Sequence, residues 1–393
     1  MRAVGIICEY NPFHKGHALH IARARALSGA DFVVCAMSGS VTQRGAFARH
    51  DKWTRAKMAL SCGADLVLEL PARFAVSPAQ EFAAGGVSLL AGTGVVTHLS
   101  FGCEKDALPL LAAAASALRE ESPAFAAALR EGLDQGLPYP RARALAAQAA
   151  SGMDGLAEAI AAPNAALALE YLAALPESIV PVPIAREGAG YHDAEIAELS
   201  SATAVRAALE GGRCEEAFAA VPCPDLLRDA ETRGDVHLPG ALDTALLYRL
   251  RTMDAFELAA IAGMGEGLHH RFLDAARTAS TRDELIHAIK SKRYTYARLS
   301  RICANILLGV TGEFAAQNAA PTYARVLGFK REAAPLLAQI KKSGTLPLVV
   351  KAADYDDPLF ALDLRAQDLW SLGCASPALR AAGRDYKTNP VIL

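Results

Sequence analysis

No two of the eight cysteines, at positions 8, 35, 62, 103, 214, 223, 303 and 374, fall in a C-x-x-C pair. That removes the usual signature of a zinc site and of a disulfide framework. Cys8, Cys35 and Cys103 sit in or beside strand-like runs, where free cysteine acts as a small hydrophobe. No apolar run reaches the ~18 residues of a membrane span. No basic region precedes a long apolar stretch at the start, so no secretory signal is expected, and a reduced cytoplasm is the expected setting. A Walker A lysine loop is missing, which argues against P-loop nucleotide binding. There is no internal repeat and no shortage of core-forming residues. With 52% hydrophobic and 21% charged residues, 393 residues can build two or three globular domains.

Charge is near balance overall, at −2, but unevenly placed. Residues 288–351 carry eleven Lys/Arg against Glu313 and Glu332, a local +9, which leaves −11 on the rest. Such a block marks either a surface for a polyanion or a solvated helix face.

Apolar runs at 3–8, 32–37, 65–70 and 95–101 alternate with helical patterns at about 16–28, 51–62 and 79–91. Short strands joined by single helices imply right-handed βαβ crossovers, hence an α/β fold with a doubly wound parallel sheet. Residues 105–175 turn alanine- and leucine-rich and read as a helical insertion, followed by a strand at 178–184. These observations suggest a catalytic domain over 1–220 and a mainly helical, basic domain over 221–393. Ligands of such sheets sit beyond the carboxyl ends of the strands, which is where 9–17, 38–50, Pro71 and Gly102 fall.

Directly after the first apolar run stands Glu9-Tyr10-Asn11-Pro12-Phe13-His14-Lys15-Gly16-His17. A helix opening here would offer unpaired amides and a partial positive charge to phosphate, with two imidazoles as further donors. Gly16 would let the backbone pass close beneath a nucleotide. The pattern points to chemistry on ATP: a carboxylate attacks the α-phosphorus, pyrophosphate leaves, and His14 and His17 stabilise the phosphoryl charge. Arg186 and Arg206 are suited to clamp pyrophosphate, with Mg2+ sharing that load. Ser201 and Thr203 lie at the start of a second helix beside Arg206. His20, one turn beyond His17, reads as a packed neighbour, and His269-His270 as surface residues.

The loop 38–45 has small residues for close approach and Arg44 for an anion. Asp51 reads as a helix cap and Trp53 as core. In Lys292-Arg293-Tyr294-Thr295-Tyr296-Ala297-Arg298-Leu299-Ser300-Arg301, cations alternate with aromatics. That suits RNA phosphates with base stacking, or packing by Tyr294 and Tyr296 beneath a charged face. An adenylyltransferase acting on a cofactor precursor would use the same histidines without the basic block. A nucleotide-sensing RNA-binding protein would need no histidine pair.

Taken together, GIICEYNPFHKGH (5–17), MSGSVTQRG (37–45), DKWTRAKMAL (51–60), GADLVLELP (63–71), LSFGCE (99–104), REGAGYHD (186–193) and SATAVR (201–206) resemble the bacterial tRNA(Met) cytidine acetate ligases, of the HxGH nucleotidyltransferase-like superfamily. KRYTYARLSR (292–301) and RVLGF (325–329) extend the likeness. The resemblance implies that acetate and ATP form acetyl-adenylate, and that the acetyl group passes to N4 of the wobble cytidine of elongator tRNA(Met). It places ATP contacts on Ile7, Cys8, Glu9, Tyr10, Asn11, Pro12, Phe13, His14, Lys15, Gly16, His17, Ala18, Leu19 and His20, with Gly102, Asn164 and Arg186. Pro163-Asn164-Ala165 departs from the family's more usual Pro-Asn-Asn. Arg44, Lys292, Arg293, Arg298 and Arg301 are the expected tRNA contacts. No protein-bound metal, DNA or membrane partner is expected.

Overall fold

Strand β1, Ala3–Cys8, is apolar on both faces because it runs through the middle of a covered sheet. The computed structural model describes residues 1–103, 108–120, 122–160, 163–185 and 201–393, without the side chains of Pro140, Pro163, Asn164 and Ala185. Beside β1 lie β2 (Phe32–Ser38) and β3 (Leu66–Leu70) on one side, β4 (Val96–Cys103) and β5 (Val180–Ala185) on the other. All five are parallel, in the order β5-β4-β1-β2-β3. The expected doubly wound sheet is therefore present.

Successive residues separate to opposite faces, as strand periodicity requires. Val4, Ile6, Val33, Cys35 and Val67 pack under helices α1 (Lys15–Ser28) and α2 (Lys52–Ser61). Ala3, Val34, Ala36, Leu66 and Leu68 face the helix Ala79–Gly92. That helix lies so close to β1 that a Cβ on Gly86 would stand 2.7 Å from the Ile7 side chain. The alanine-rich insertion is helical as expected, from Leu108–Glu120 to Pro163–Ala174. Its apolar face is continuous with this same core.

The second half of the chain departs from the expected division at residue 220. A helical core does form there, around Leu246, Phe272, Leu285 and Ile302. But the chain then returns to the sheet. β6 (Ala324–Phe329) runs antiparallel along β3, and β7 (Leu348–Val349) and β8 (Val391–Ile392) pair with β6. Arg325 and Gly328 interrupt the apolar run of β6, and β7 and β8 are two residues each, so no strand periodicity marks them.

Arg325 is thus inside the molecule rather than on a basic surface. It lies 2.7 Å from Asp385, which lies 2.8 Å from Lys52 of α2. Lys52 in turn bonds both oxygens of Glu69 on β3, at 2.8 and 2.9 Å. Among the described residues no helix is long and apolar enough to cross a membrane.

Candidate active site

The strand order reverses between β1 and β4, which opens a crevice beyond their carboxyl ends, the place where such sheets take ligands. Residues 9–17 fill the β1 side of that crevice. His14 is the N-cap of α1: its Nδ1 accepts from the Gly16 amide at 3.1 Å, and Nδ1 of His17 accepts from the His14 amide at 3.2 Å. The two rings stack, 3.7 Å apart. A neutral imidazole that accepts through Nδ1 carries its proton on Nε2. Both histidines are therefore held as Nε2–H donors.

The helix start differs from expectation in one respect. Its amides do not stand open for phosphate: Lys15 N donates to Ala220 O (3.3 Å), and Gly16 and His17 N to His14. The donors presented by this turn are the imidazoles.

Tyr10 and Phe13 are buried and flank the His17 ring at 4.8 and 5.5 Å, so their side chains support it from below. Tyr10 adopts a left-handed backbone (φ 48°), which turns the loop back toward the helix. His20 bonds Ser100 on β4 at 3.0 Å and so bridges the two lips of the crevice. Gly102 lies next to it on β4, half-buried. Ile7, Cys8 and Ala18 are half-buried, Pro12 buried, and Lys15 and Leu19 exposed along the same turn.

The second helix start joins the first. Ser201 caps the helix Ala202–Glu210, and Arg206 of that helix bonds the Asn11 carbonyl and, at 3.2 Å, the Thr203 hydroxyl. Asn11 is also tied to the loop after β2 through Arg49 N (2.9 Å). Glu9 Oε1 accepts from Gln43 N at 2.5 Å. Burial raises the Glu9 carboxyl, opposed by the Gln43 amide and by Arg55, Arg206 and Arg44. Asn164 lies in the helix Pro163–Ala174, its side chain outside the described residues, as is Arg186 altogether.

Beyond Glu9 and Asn11, away from the histidine rings, is a cavity of about 340 Å³. The loop 42–49 and Arg206 form one wall, and residues 237–243, Arg282 and the helix Tyr296–Leu308 the other. Gly45 is needed at this seam. Its φ is +73°, and a Cβ would lie 2.5 Å from the backbone of Ser300 and Arg301. Arg282 spans the seam by donating to Gly45 O at 2.9 Å and to the Ser300 hydroxyl, which donates to Arg44 O.

Of the expected basic contacts, Arg44 and Lys292 are exposed. Arg293 is paired with Glu266 at 2.8 Å, and Arg298 lies over the Tyr294 ring at 5.2 Å. Arg301 is half-buried against Gln43 O (3.4 Å), where burial and nearby Arg298 lower its pKa. Tyr294 is buried, whereas Tyr296 is exposed at the cavity edge with its hydroxyl on Asp283. Trp53 is core and Asp51 caps α2, as expected. His269 is half-buried against the exposed His270.

Sequence reasoning missed the buried cations that hold these loops. Arg55 donates to the carbonyls of Glu9 (2.7 Å), Ser38 (2.9 Å) and His50 (3.0 Å), stapling the turns after β1 and β2 together. Burial lowers its pKa to about 10, which leaves it charged. Arg49 forks onto Glu231 at 2.8 and 2.7 Å while His50 takes the same carboxylate at 2.8 Å. The signal for Arg55 was a cation on the inward face of a short amphipathic helix, between Trp53 and Ala59.

A histidine pair fixed as donors at the switch point of a parallel sheet defines a nucleotidyl transferase of the HxGH class. The family profile described as HIGH Nucleotidyl Transferase matches residues 1–385. The chain belongs to that family and, within it, to the group of tRNA(Met) cytidine acetate ligases. The protein of that name from Acetivibrio thermocellus is 38% identical over the full length of both chains. Its counterpart from Caldanaerobacter subterraneus subsp. tengcongensis is 38% identical over 95% of each. Among solved structures, Thermotoga maritima TmcAL bound with alpha-thio ATP superposes with a TM-score of 0.92 at 31% identity, covering both chains completely.

Proposed function

We propose that this protein condenses acetate with ATP to give acetyl-adenylate and pyrophosphate, then transfers the acetyl group to N4 of the wobble cytidine, position 34, of elongator tRNA(Met), forming N4-acetylcytidine. The observation that carries this reading is the histidine pair held as Nε2–H donors at the β1/β4 crevice. Full-length likeness to an enzyme solved with alpha-thio ATP, and to relatives named for the second step, supports it.

In the first step an acetate oxygen attacks the α-phosphorus, and His14 and His17 donate to the phosphoryl oxygens as charge builds there. Residues 7–20 with Gly102, Asn164 and Arg186 surround the nucleotide. Ser201, Thr203 and Arg206 approach the phosphates from the second helix start, with Arg206 already fixed through Asn11. Among the described residues no three His, Cys, Asp or Glu side chains are grouped to hold an ion. Mg2+ carried on the phosphates of ATP would share the stabilisation of their charge with the residues named above. Arg44, Lys292, Arg293, Arg298 and Arg301 supply the cations that hold the tRNA, in a cytoplasmic setting.

The test is acetate-dependent pyrophosphate release from ATP, together with mass analysis of tRNA nucleosides from cells lacking this protein. Loss of N4-acetylcytidine is expected. A dinucleotide product, or tRNA binding with no adenylate formed, would replace this reading with one of its rivals.

A further inference from the structure

The cavity behind Glu9 and Asn11 is lined by neither His14 nor His17, the donors of the activation step. Its volume, about 340 Å³, far exceeds what acetate fills and lies at the lower end of the ~300–1,000 Å³ range of small-ligand pockets. Four features of its wall point to one kind of ligand. The Phe47 ring is held by stacking on His237, 4.9 Å between centroids and 23° between planes. His237 Nδ1 donates to Trp370 O at 2.9 Å, which fixes that support. Tyr296 stands at the edge, 37% exposed as a residue. Glu9 lines the cavity, positioned through Oε1 on Gln43 N and facing the charges of Arg55, Arg206 and Arg44. Arg44 is exposed at the same wall.

Flat aromatic surfaces, a carboxylate acceptor and a cationic edge are what a single extruded base requires. Bases taken out of a strand are read by stacking and by hydrogen bonds to the Watson–Crick edge, while cations hold the phosphates. The helix carrying Tyr296 also bears Arg298 and Arg301, and Lys292 and Arg293 precede it, so the basic stretch leads to this opening.

We propose that the cavity receives the acceptor pyrimidine, swung out of the RNA loop, with its exocyclic amine directed at Glu9. The inference rests on the acetyl-transfer reading above and assigns the acceptor its place in it. Glu9 and Asn11 then form a partition, with the nucleotide on the histidine side and the base on the other. The N4 lone pair attacks the acetyl carbonyl carbon and a C–N bond forms. The bond from that carbon to the phosphate oxygen breaks, and AMP leaves with the electron pair. The amine proton passes to the Glu9 carboxylate and from there to water.

The full-length protein is given synthetic acetyl-adenylate and tRNA, so that activation is bypassed. Phe47→Ala and Tyr296→Ala are expected to raise KM for tRNA at least about tenfold. Glu9→Gln is expected to lower kcat of transfer by about 10²-fold. Wild-type rates in all three overturn the cavity assignment and leave the function standing, since wild type still acetylates cytidine. Failure of the wild type to acetylate any cytidine brings down both. A second measurement needs no variant: stem-loop RNA with 5-iodocytidine at the wobble position is irradiated on the wild-type protein. Attachment to Phe47 or Tyr296 is expected. Attachment only outside 9–11, 42–49 and 296–307 overturns the proposal.

Discussion

His14 caps α1 with one ring nitrogen and presents the other as a donor, so substitutions at this position separate folding from chemistry. Asparagine is among the best N-cap residues but has no group at the Nε2 position. His14→Asn should therefore stay within about 0.5 kcal/mol of wild-type stability, whereas His14→Ala should lose about 1 kcal/mol with the cap. Both should lower acetate-dependent pyrophosphate release by about 10²–10³-fold, the usual effect of removing one transition-state donor. Thermal denaturation and a pyrophosphate assay on the same preparations check this, and full activity in the asparagine variant would reduce His14 to a cap. The His-x-Gly-His spacing located this turn in the sequence. It did not reveal that each histidine closes an amide of the turn, because a histidine cap replaces the usual Ser, Thr, Asp or Asn and leaves no compositional trace.

Two connections between elements fix how the loops around the site are held, and in each the distant partner was hidden in the sequence. Glu231 lies 182 residues from Arg49, and no periodic pattern links such distant partners. Burial raises the Glu231 carboxyl, but the bonds from His50 and Arg49 outweigh that and bring it down to about 2. A carboxyl with a lowered folded-state pKa stabilises the fold above its ordinary value near 4.5 and loses that contribution as pH falls toward 2. The contribution is at most about 3 kcal/mol for a shift of this size, reduced by solvent screening of a partly exposed carboxylate. Glu231→Gln should be less stable than wild type at pH 7, with the two unfolding curves converging between about pH 4.5 and 2. A gap that stayed constant through that window would show that the ion pair contributes nothing. Where the turn 42–45 meets Ser300 and Arg301, Gly45→Ala combines an unfavourable φ with a backbone clash. It should cost more than about 1 kcal/mol in urea denaturation. Here the sequence was more informative, since the glycine and serine content of 38–45 marked a loop built for close approach. What approaches it, a helix two hundred and fifty residues away, was hidden.

The five parallel strands and the helices between them were readable because each is a buried run with helical periodicity on either side. The closing edge of the sheet was not, because β6 carries a cation that only makes sense once Asp385 and Glu69 are beside it. The basic stretch of the sequence consequently divides between interior and surface. Arg325 belongs to the core, while Lys292 and Arg293 are exposed and Arg298 is half-buried. Replacing Arg293 and Arg298 together with alanine should weaken tRNA binding and flatten its dependence on salt by about two counterions. Binding titrations from low to physiological salt measure that slope, and an unchanged slope would move the RNA elsewhere. Lys52, Glu69, Arg325 and Asp385 join three remote stretches of chain in one buried cluster, with Lys52 shared by both carboxylates. Lys52→Met would leave two buried carboxylates to Arg325 alone, a loss of about 3–5 kcal/mol. A fragment of residues 1–220 would lose Arg325 and Asp385 entirely and expose the edge of β3, an unpaired strand edge, leaving Lys52 and Glu69 with only each other. Such a fragment should aggregate or unfold without a cooperative transition, as followed by circular dichroism and limited proteolysis. A sharp, reversible melt of the fragment would restore the two-domain division that composition alone suggested.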